Sequence, residues 1–141
     1  MRFMIMVPAS AESEAGIPPD PKLFEALDRF NQEMVRAGVV LAGEGLQPTS
    51  KGARLRFSGG EVTVIDGPFS ESKELIAGYW LIQVKSKEEA IAWMKRAPFG
   101  DGVTIELRQV GPLEDLTPVD PTGELRAKEA ELRKINASRT G

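Results

Sequence analysis

The chain contains no cysteine and no histidine. The first absence excludes disulfides, a thiol nucleophile and a thiolate metal site. The second excludes Ser-His-Asp catalysis, imidazole proton transfer and histidine-ligated metals. Acid–base work is left to Asp, Glu, Lys, Arg, bound water or Tyr79, the single tyrosine. No calcium-loop spacing is present, so no metal site is expected. Gly59-Gly60 and Gly100-Asp101-Gly102 lack the strand-loop-helix context of a phosphate loop, read as turns, and leave no cofactor to expect. Long basic runs and aromatic–basic stripes are also missing. With 18 basic and 21 acidic side chains the formal net charge is −3, and direct contact with nucleic acid is not expected. No apolar stretch approaches membrane-spanning length, so no membrane partner is expected. The short apolar run in MRFMIMVPAS carries one Arg and is broken by Pro8, which makes a poor signal peptide. It reads as the first strand of a cytoplasmic protein.

What is present fits one domain with a sizeable core in 141 residues. Arg2–Val7 reads as a strand. Its alternating sets, Phe3/Ile5/Val7 and Met4/Met6, are both apolar, so both of its faces call for cover. A loop over 8–19 follows. Asp20 reads as a helix N-cap with Pro21 at the first helical position. Leu23, Leu27, Phe30 and Met34 share one helical face, and Gly38 closes the helix. A strand starts at Val39–Leu41 and runs towards Glu44, and Gly45–Gly52 is a loop. Ala53–Phe57 and Val62–Ile65 flank Ser58-Gly59-Gly60-Glu61, a hairpin signal. Gly78–Lys85 is a further strand. Ser86 and Glu89 form a capping box, opening a helix that carries Ala90, Ile91, Met94 and Ala97 inward and stops at Pro98. Val103–Val110 is the closing strand.

The order β-α-β, hairpin, β-α-β predicts an α+β fold of ferredoxin-like type, a sheet with both helices on one face. The other face is apolar too and has no cover within the core. A second copy packed sheet to sheet supplies that cover most economically, so a homodimer is expected. Residues 1–111 form this domain. Residues 112–141 are a proline-containing linker and a charged peripheral helix over Glu124–Ile135, with a thin apolar stripe of Leu125, Leu132 and Ile135.

Seven side chains are candidates for chemistry. On the closing strand Glu106 and Arg108 point to the face expected to meet the partner. There they either pair with each other or across the interface, or line a polar pocket in which Arg108 grips a carboxylate or phosphate. Glu44 lies between two glycines at a strand end, suited to a pocket or to a turn-stabilising ion pair. Tyr79 can donate a phenolic proton to a ligand or pack at the interface. Asp66 is either turn chemistry, with its carboxylate accepting backbone N–H groups, or a catalytic acid or base. Glu71 is a candidate base or ligand holder, and Lys73 a neutralising charge for an acidic ligand. The alternative for these last two is a solvated approach to the next strand.

Asp66-Gly67-Pro68-Phe69, followed by Glu71, Lys73, Glu74 and Gly78-Tyr79, resembles the YCII-related family, in particular its DGPF-domain branch. The likeness covers roughly the first four-fifths of the chain. It includes Gly43-Glu44-Gly45-Leu46, Glu89-Ala90, Pro98 and the closing IELRQV. The resemblance implies a dimeric α/β-barrel. It implies no particular reaction, because related folds carry several chemistries. A His-Asp pair proposed for the wider family is absent here. The resemblance also implies an association with sigma factors of the extracytoplasmic-function type. Two functions therefore stand as expectations. One is a dimer that binds a small anionic metabolite, with cofactor-free acid–base chemistry if it is an enzyme. The other is a non-catalytic regulatory module that works with a sigma factor.

Overall fold

The computed structural model describes residues 1–70 and 74–139. The chain divides into two compact units, Met1–Gln109 and the segment from Val110 to the C-terminus. The first unit has the element order β1 (Arg2–Pro8), α1 (Ala11–Glu14), α2 (Pro21–Arg36), β2 (Val40–Gly45), a 3₁₀ turn (Thr49–Lys51), β3 (Ala53–Ser58), β4 (Glu61–Asp66), β5 (Ile76–Gln83), α3 (Lys87–Met94) and β6 (Glu106–Gln109). Four strands form one sheet in the order β2-β5-β1-β6, and β3-β4 form a second, two-stranded sheet. All pairings are antiparallel. This is an α+β architecture.

The predicted helix starts are the ones observed. The Asp20 side chain accepts from the Lys22 N–H at 2.9 Å, and Pro21 occupies the first turn, where its missing N–H leaves no bond unmade. Ser86 caps α3 by accepting from the Glu89 N–H. The Glu89 carboxylate returns one residue early, accepting from Lys85 N–H at 2.8 Å. Several boundaries differ from expectation, including β5, which is shifted two residues towards the N-terminus of the expected Gly78–Lys85. The 8–19 loop contains the one-turn helix α1, closed by reciprocal bonds between Ser10 and Ser13. Helix α3 ends at Met94, before Pro98, and its inward contacts are Ala90, Met94 and Trp93, while Ile91 is exposed. The closing strand is only Glu106–Gln109, which pairs with Phe3–Met6 of β1.

The core lies on one face of the four-stranded sheet. Phe3, Ile5, Trp80 and Ile82 meet Phe30 and Met34 from α2 and Ala90 and Met94 from α3, so both helices cover that face. Trp80 is the centre of this packing. Its ring meets Phe30 edge-on at 5.7 Å and Phe99 at 6.1 Å. Its indole N–H donates to the Asn31 side chain at 2.8 Å, so burial strands no polar group. The adjacent strand makes room for it with Gly43, where a Cβ would lie 2.6 Å from the Trp80 ring.

The opposite face is different. Register places Met4 and Met6 of β1 beside Leu81 and Tyr79 of β5, and none of these four is buried. The hairpin sheet is exposed throughout. Pairing of Leu55 with Val64 and Phe57 with Val62 gathers four apolar side chains on one of its sides, with Phe57 75% exposed.

The second unit has a 3₁₀ turn (Leu113–Leu116) and α4 (Glu124–Arg139). Leu125 and Leu132 are exposed. Its organising residue is Asp120, the one buried charged side chain among the described residues. Asp120 accepts from the Leu125 and Arg126 N–H groups and from Arg126 Nε, while Arg126 Nη2 donates back to the Asp120 carbonyl. The Arg126 backbone bond above all, and then the Leu125 bond and the guanidinium, hold the Asp120 carboxyl below its ordinary value against the opposing effect of burial. A carboxyl lowered in this way stabilises the clamp at every pH above the ordinary carboxylate range and ceases to do so as pH falls through its own lower value. Asp120→Asn is therefore expected to expose the Leu125 and Arg126 amides to hydrogen exchange at neutral pH. The native chain is expected to keep them protected until strongly acid pH. Protection that survives the substitution would show that the carboxylate does not organise this turn.

Candidate functional site

Register decides which candidate side chains share a surface. Glu44 of β2 lies opposite Tyr79 of β5. Tyr79 lies opposite Met6 of β1, and Met6 opposite Glu106 of β6. These four form one row across the sheet. The next row is Ala42, Leu81, Met4 and Arg108. Both rows are on the sheet face opposite α2 and α3, because the alternating residues Trp80, Ile82, Phe3 and Ile5 point into the core. Four of the seven candidates, Glu44, Tyr79, Glu106 and Arg108, therefore converge on one open surface. Neighbouring strands are about 5 Å apart. Glu44 thus adjoins Tyr79 at one side, Glu106 and Arg108 stand at the other, and Met4, Met6 and Leu81 separate the two polar ends.

Glu106 and Arg108 form no ion pair with each other or elsewhere among the described residues, and both are exposed. Pairing within the chain, one expectation for this couple, is not what the structure contains. Glu44 is likewise exposed and without an ion pair among the described residues. The charged groups on this face are thus free to meet a ligand or a partner.

Asp66 is elsewhere. It ends β4 in the hairpin sheet, opposite Ala53, and does not join the row. Nor does its carboxylate accept any N–H among the described residues, contrary to the turn chemistry expected of it. Thr49 holds the turn instead. The Phe69 N–H donates to Thr49 Oγ1 at 3.0 Å, and the Thr49 hydroxyl and N–H both donate to the Glu14 carboxylate. The Gly67 N–H donates to the Gly52 carbonyl. The fit leaves no space for a side chain at position 67, where a Cβ would lie 1.7 Å from the Thr49 carbonyl oxygen. The glycine of Asp66-Gly67-Pro68-Phe69 is therefore required by close approach to the 3₁₀ turn. Phe69, expected to anchor the turn in apolar surface, is half-buried and lies beneath the Arg54 guanidinium, 3.9 Å from the ring centroid. Glu71 and Lys73 lie outside the described residues.

Glu14, Thr49, Lys51 and Arg54 were not among the sequence candidates. Glu14 acts across 35 positions, a separation at which no local pattern signals a contact. Arg54 follows from hairpin alternation, which turns it away from the apolar side that carries Leu55 and Phe57.

Residues 1–114 match the family model described as the YCII-related domain. The chain belongs to the YCII-related family. It is also similar to a protein of Rhizobium meliloti (strain 1021) described as an uncharacterized protein, at 39% identity over 72 residues. That match covers 51% of this chain and 58% of the relative, so it spans little more than half the relative's length. No group of acidic side chains among the described residues is arranged to hold a metal ion. No helix among them is long and apolar enough to cross a membrane.

Proposed function

We propose that this YCII-related chain is a cytoplasmic homodimer that binds a small anionic metabolite between the open sheet faces of its two copies. The observation that supports it is the placement of Glu44, Tyr79, Glu106 and Arg108 on the face of the four-stranded sheet opposite α2 and α3. Half-buried Met4, Met6, Tyr79 and Leu81 give that face an apolar middle suited to a partner. The polar ends, taken out of water by the partner, become strong recognition groups. Strand order β2-β5-β1-β6 with both helices on one face supports the ferredoxin-like reading, and a face-to-face pair makes it a dimeric α/β-barrel. The Asp66–Phe69 turn supports placing the chain in the DGPF-domain branch.

In this reading Arg108 carries the ligand's negative charge with its planar fork. The Tyr79 phenol donates to a ligand oxygen. Glu44 beside it, or Glu106, holds a ligand hydroxyl or takes a proton, a contribution of the order of 10²- to 10⁴-fold where a reaction follows. Asp66, one of the two initial catalytic candidates, has no place in the row; the other, Glu71, lies outside the described residues. The regulatory reading, in which a sigma factor is the partner, has no single feature of the chain to favour it.

Native mass spectrometry of the purified protein tests the proposal. The expected spectrum is a dimer with a small bound mass, which Arg108→Gln releases while the dimer persists. A dimer that falls apart in Arg108→Gln would assign the residue to interface pairing. A bound mass indifferent to Arg108 and Glu106 substitutions would remove the site. Capture of a sigma factor that survives both substitutions would favour the regulatory reading.

A further inference from the structure

A second concave surface lies beside the Asp66–Phe69 turn. It is a cleft of about 420 Å³, within the size range of small-molecule sites. None of Glu44, Tyr79, Glu106 or Arg108 lines it. Its apolar wall comes from Leu46, Leu75 and Ile76, and its polar side from Lys51, Arg54 and Glu74. Leu75 is buried and gives the wall a fixed base. Among the described lining residues, two cations stand against one carboxylate, an excess of one positive charge.

The cleft is held from several sides at once. Leu46 N–H donates to the Ala77 carbonyl at 2.7 Å, Ala9 N–H to the Leu75 carbonyl at 2.9 Å, and Gly67 N–H to the Gly52 carbonyl at 3.1 Å. Glu14 fixes Thr49, and Thr49 fixes the Phe69 backbone. Phe69 in turn supports Arg54 from below, with 3.9 Å from guanidinium carbon to ring centroid. Stacking occupies a face of the guanidinium and leaves its edge N–H groups for an acceptor. Neither Arg54 nor Lys51 has an ion-pair partner among the described residues.

We propose that this cleft binds a small monocarboxylate with a flat apolar body. The carboxylate meets the Arg54 edge and the Lys51 ammonium, and the body lies on Leu46, Leu75 and Ile76. A single excess positive charge among the described lining residues, with Glu74 nearby, favours a monoanion over a phosphate dianion. The Asp66-Gly67-Pro68-Phe69 motif then has a physical purpose, since its turn presents the ring on which the anion-binding guanidinium rests. This site is independent of the sheet-face proposal.

Benzoate is a suitable probe, followed by amide chemical shifts in the ¹⁵N-labelled full chain, with benzamide and inorganic phosphate as comparisons. Saturable shifts at Lys51, Gly52, Arg54 and Phe69 are expected with benzoate, and much smaller ones with either comparison compound. Arg54→Gln is expected to weaken benzoate at least tenfold with the remaining spectrum unchanged. Lys51→Gln, an exposed position, serves as the second variant if Arg54→Gln disturbs the hairpin. Benzoate affinity equal to wild type in the variants would overturn the proposal. So would equal binding of benzamide or phosphate, or the absence of saturation. Shifts confined to Met4, Glu44, Tyr79 and Arg108 would also overturn it, while supporting the sheet-face site.

Discussion

Trp80→Ala is expected to destabilise the first unit by about 3–5 kcal/mol, the usual result of truncating a large buried aromatic side chain. The substitution empties the space between Phe30 and Phe99 and leaves the Asn31 amide without its indole partner. Against a total of about 5–15 kcal/mol for an ordinary domain, that is a large fraction. Urea unfolding followed by circular dichroism should show the midpoint falling steeply while the slope stays constant. A loss below about 1 kcal/mol would show that the core is not organised around this ring.

The next residue along β5 should behave in the opposite way. Leu81 points to the open face, flanked by Ala42 and Met4. Leu81→Lys adds a solvated charge there and removes no core packing, so the fold should keep its stability to within about 1 kcal/mol. In a two-fold dimer each substitution occurs twice on the same interface. Two ammonium groups brought to one apolar contact should weaken association by about 100-fold or more. Sedimentation of the variant should therefore give a folded monomer at concentrations where the native chain is expected to pair. A variant that unfolds would show that Leu81 belongs to the core. A variant that still pairs would move the interface to another surface, and the exposed hairpin face of Leu55, Phe57, Val62 and Val64 would become the first to test.

The contrast between positions 80 and 81 also shows how much was legible before the structure. Strand alternation in Gly78–Lys85 is a local property, so the division of Trp80 and Ile82 from Tyr79 and Leu81 could be read directly. The same was true of the caps at Asp20 and Ser86, whose partners lie two and three residues away. The convergence of Glu44, Tyr79, Glu106 and Arg108 depended on register as well as alternation. The motif order constrains which strands are neighbours, but not which residues face each other. That is why Asp66 could be ranked with them although its strand belongs to another sheet. Contacts made across long separations left no local trace. The Glu14–Thr49–Phe69 chain links three loops, and Asn31 meets Trp80 across 49 positions. The short closing strand was overestimated for a related reason. Val103–Ile105 have a strand-like composition, but the ladder to β1 stops at Met6 and Glu106 although β1 runs on to Pro8.

The direct test of the central claim, that a second copy closes the sheet face opposite α2 and α3, is sedimentation equilibrium of the native chain at low micromolar concentration. The mass of two chains is predicted, together with protection of Met4, Met6 and Leu81 from solvent. A single well-folded chain with those side chains in water would contradict it.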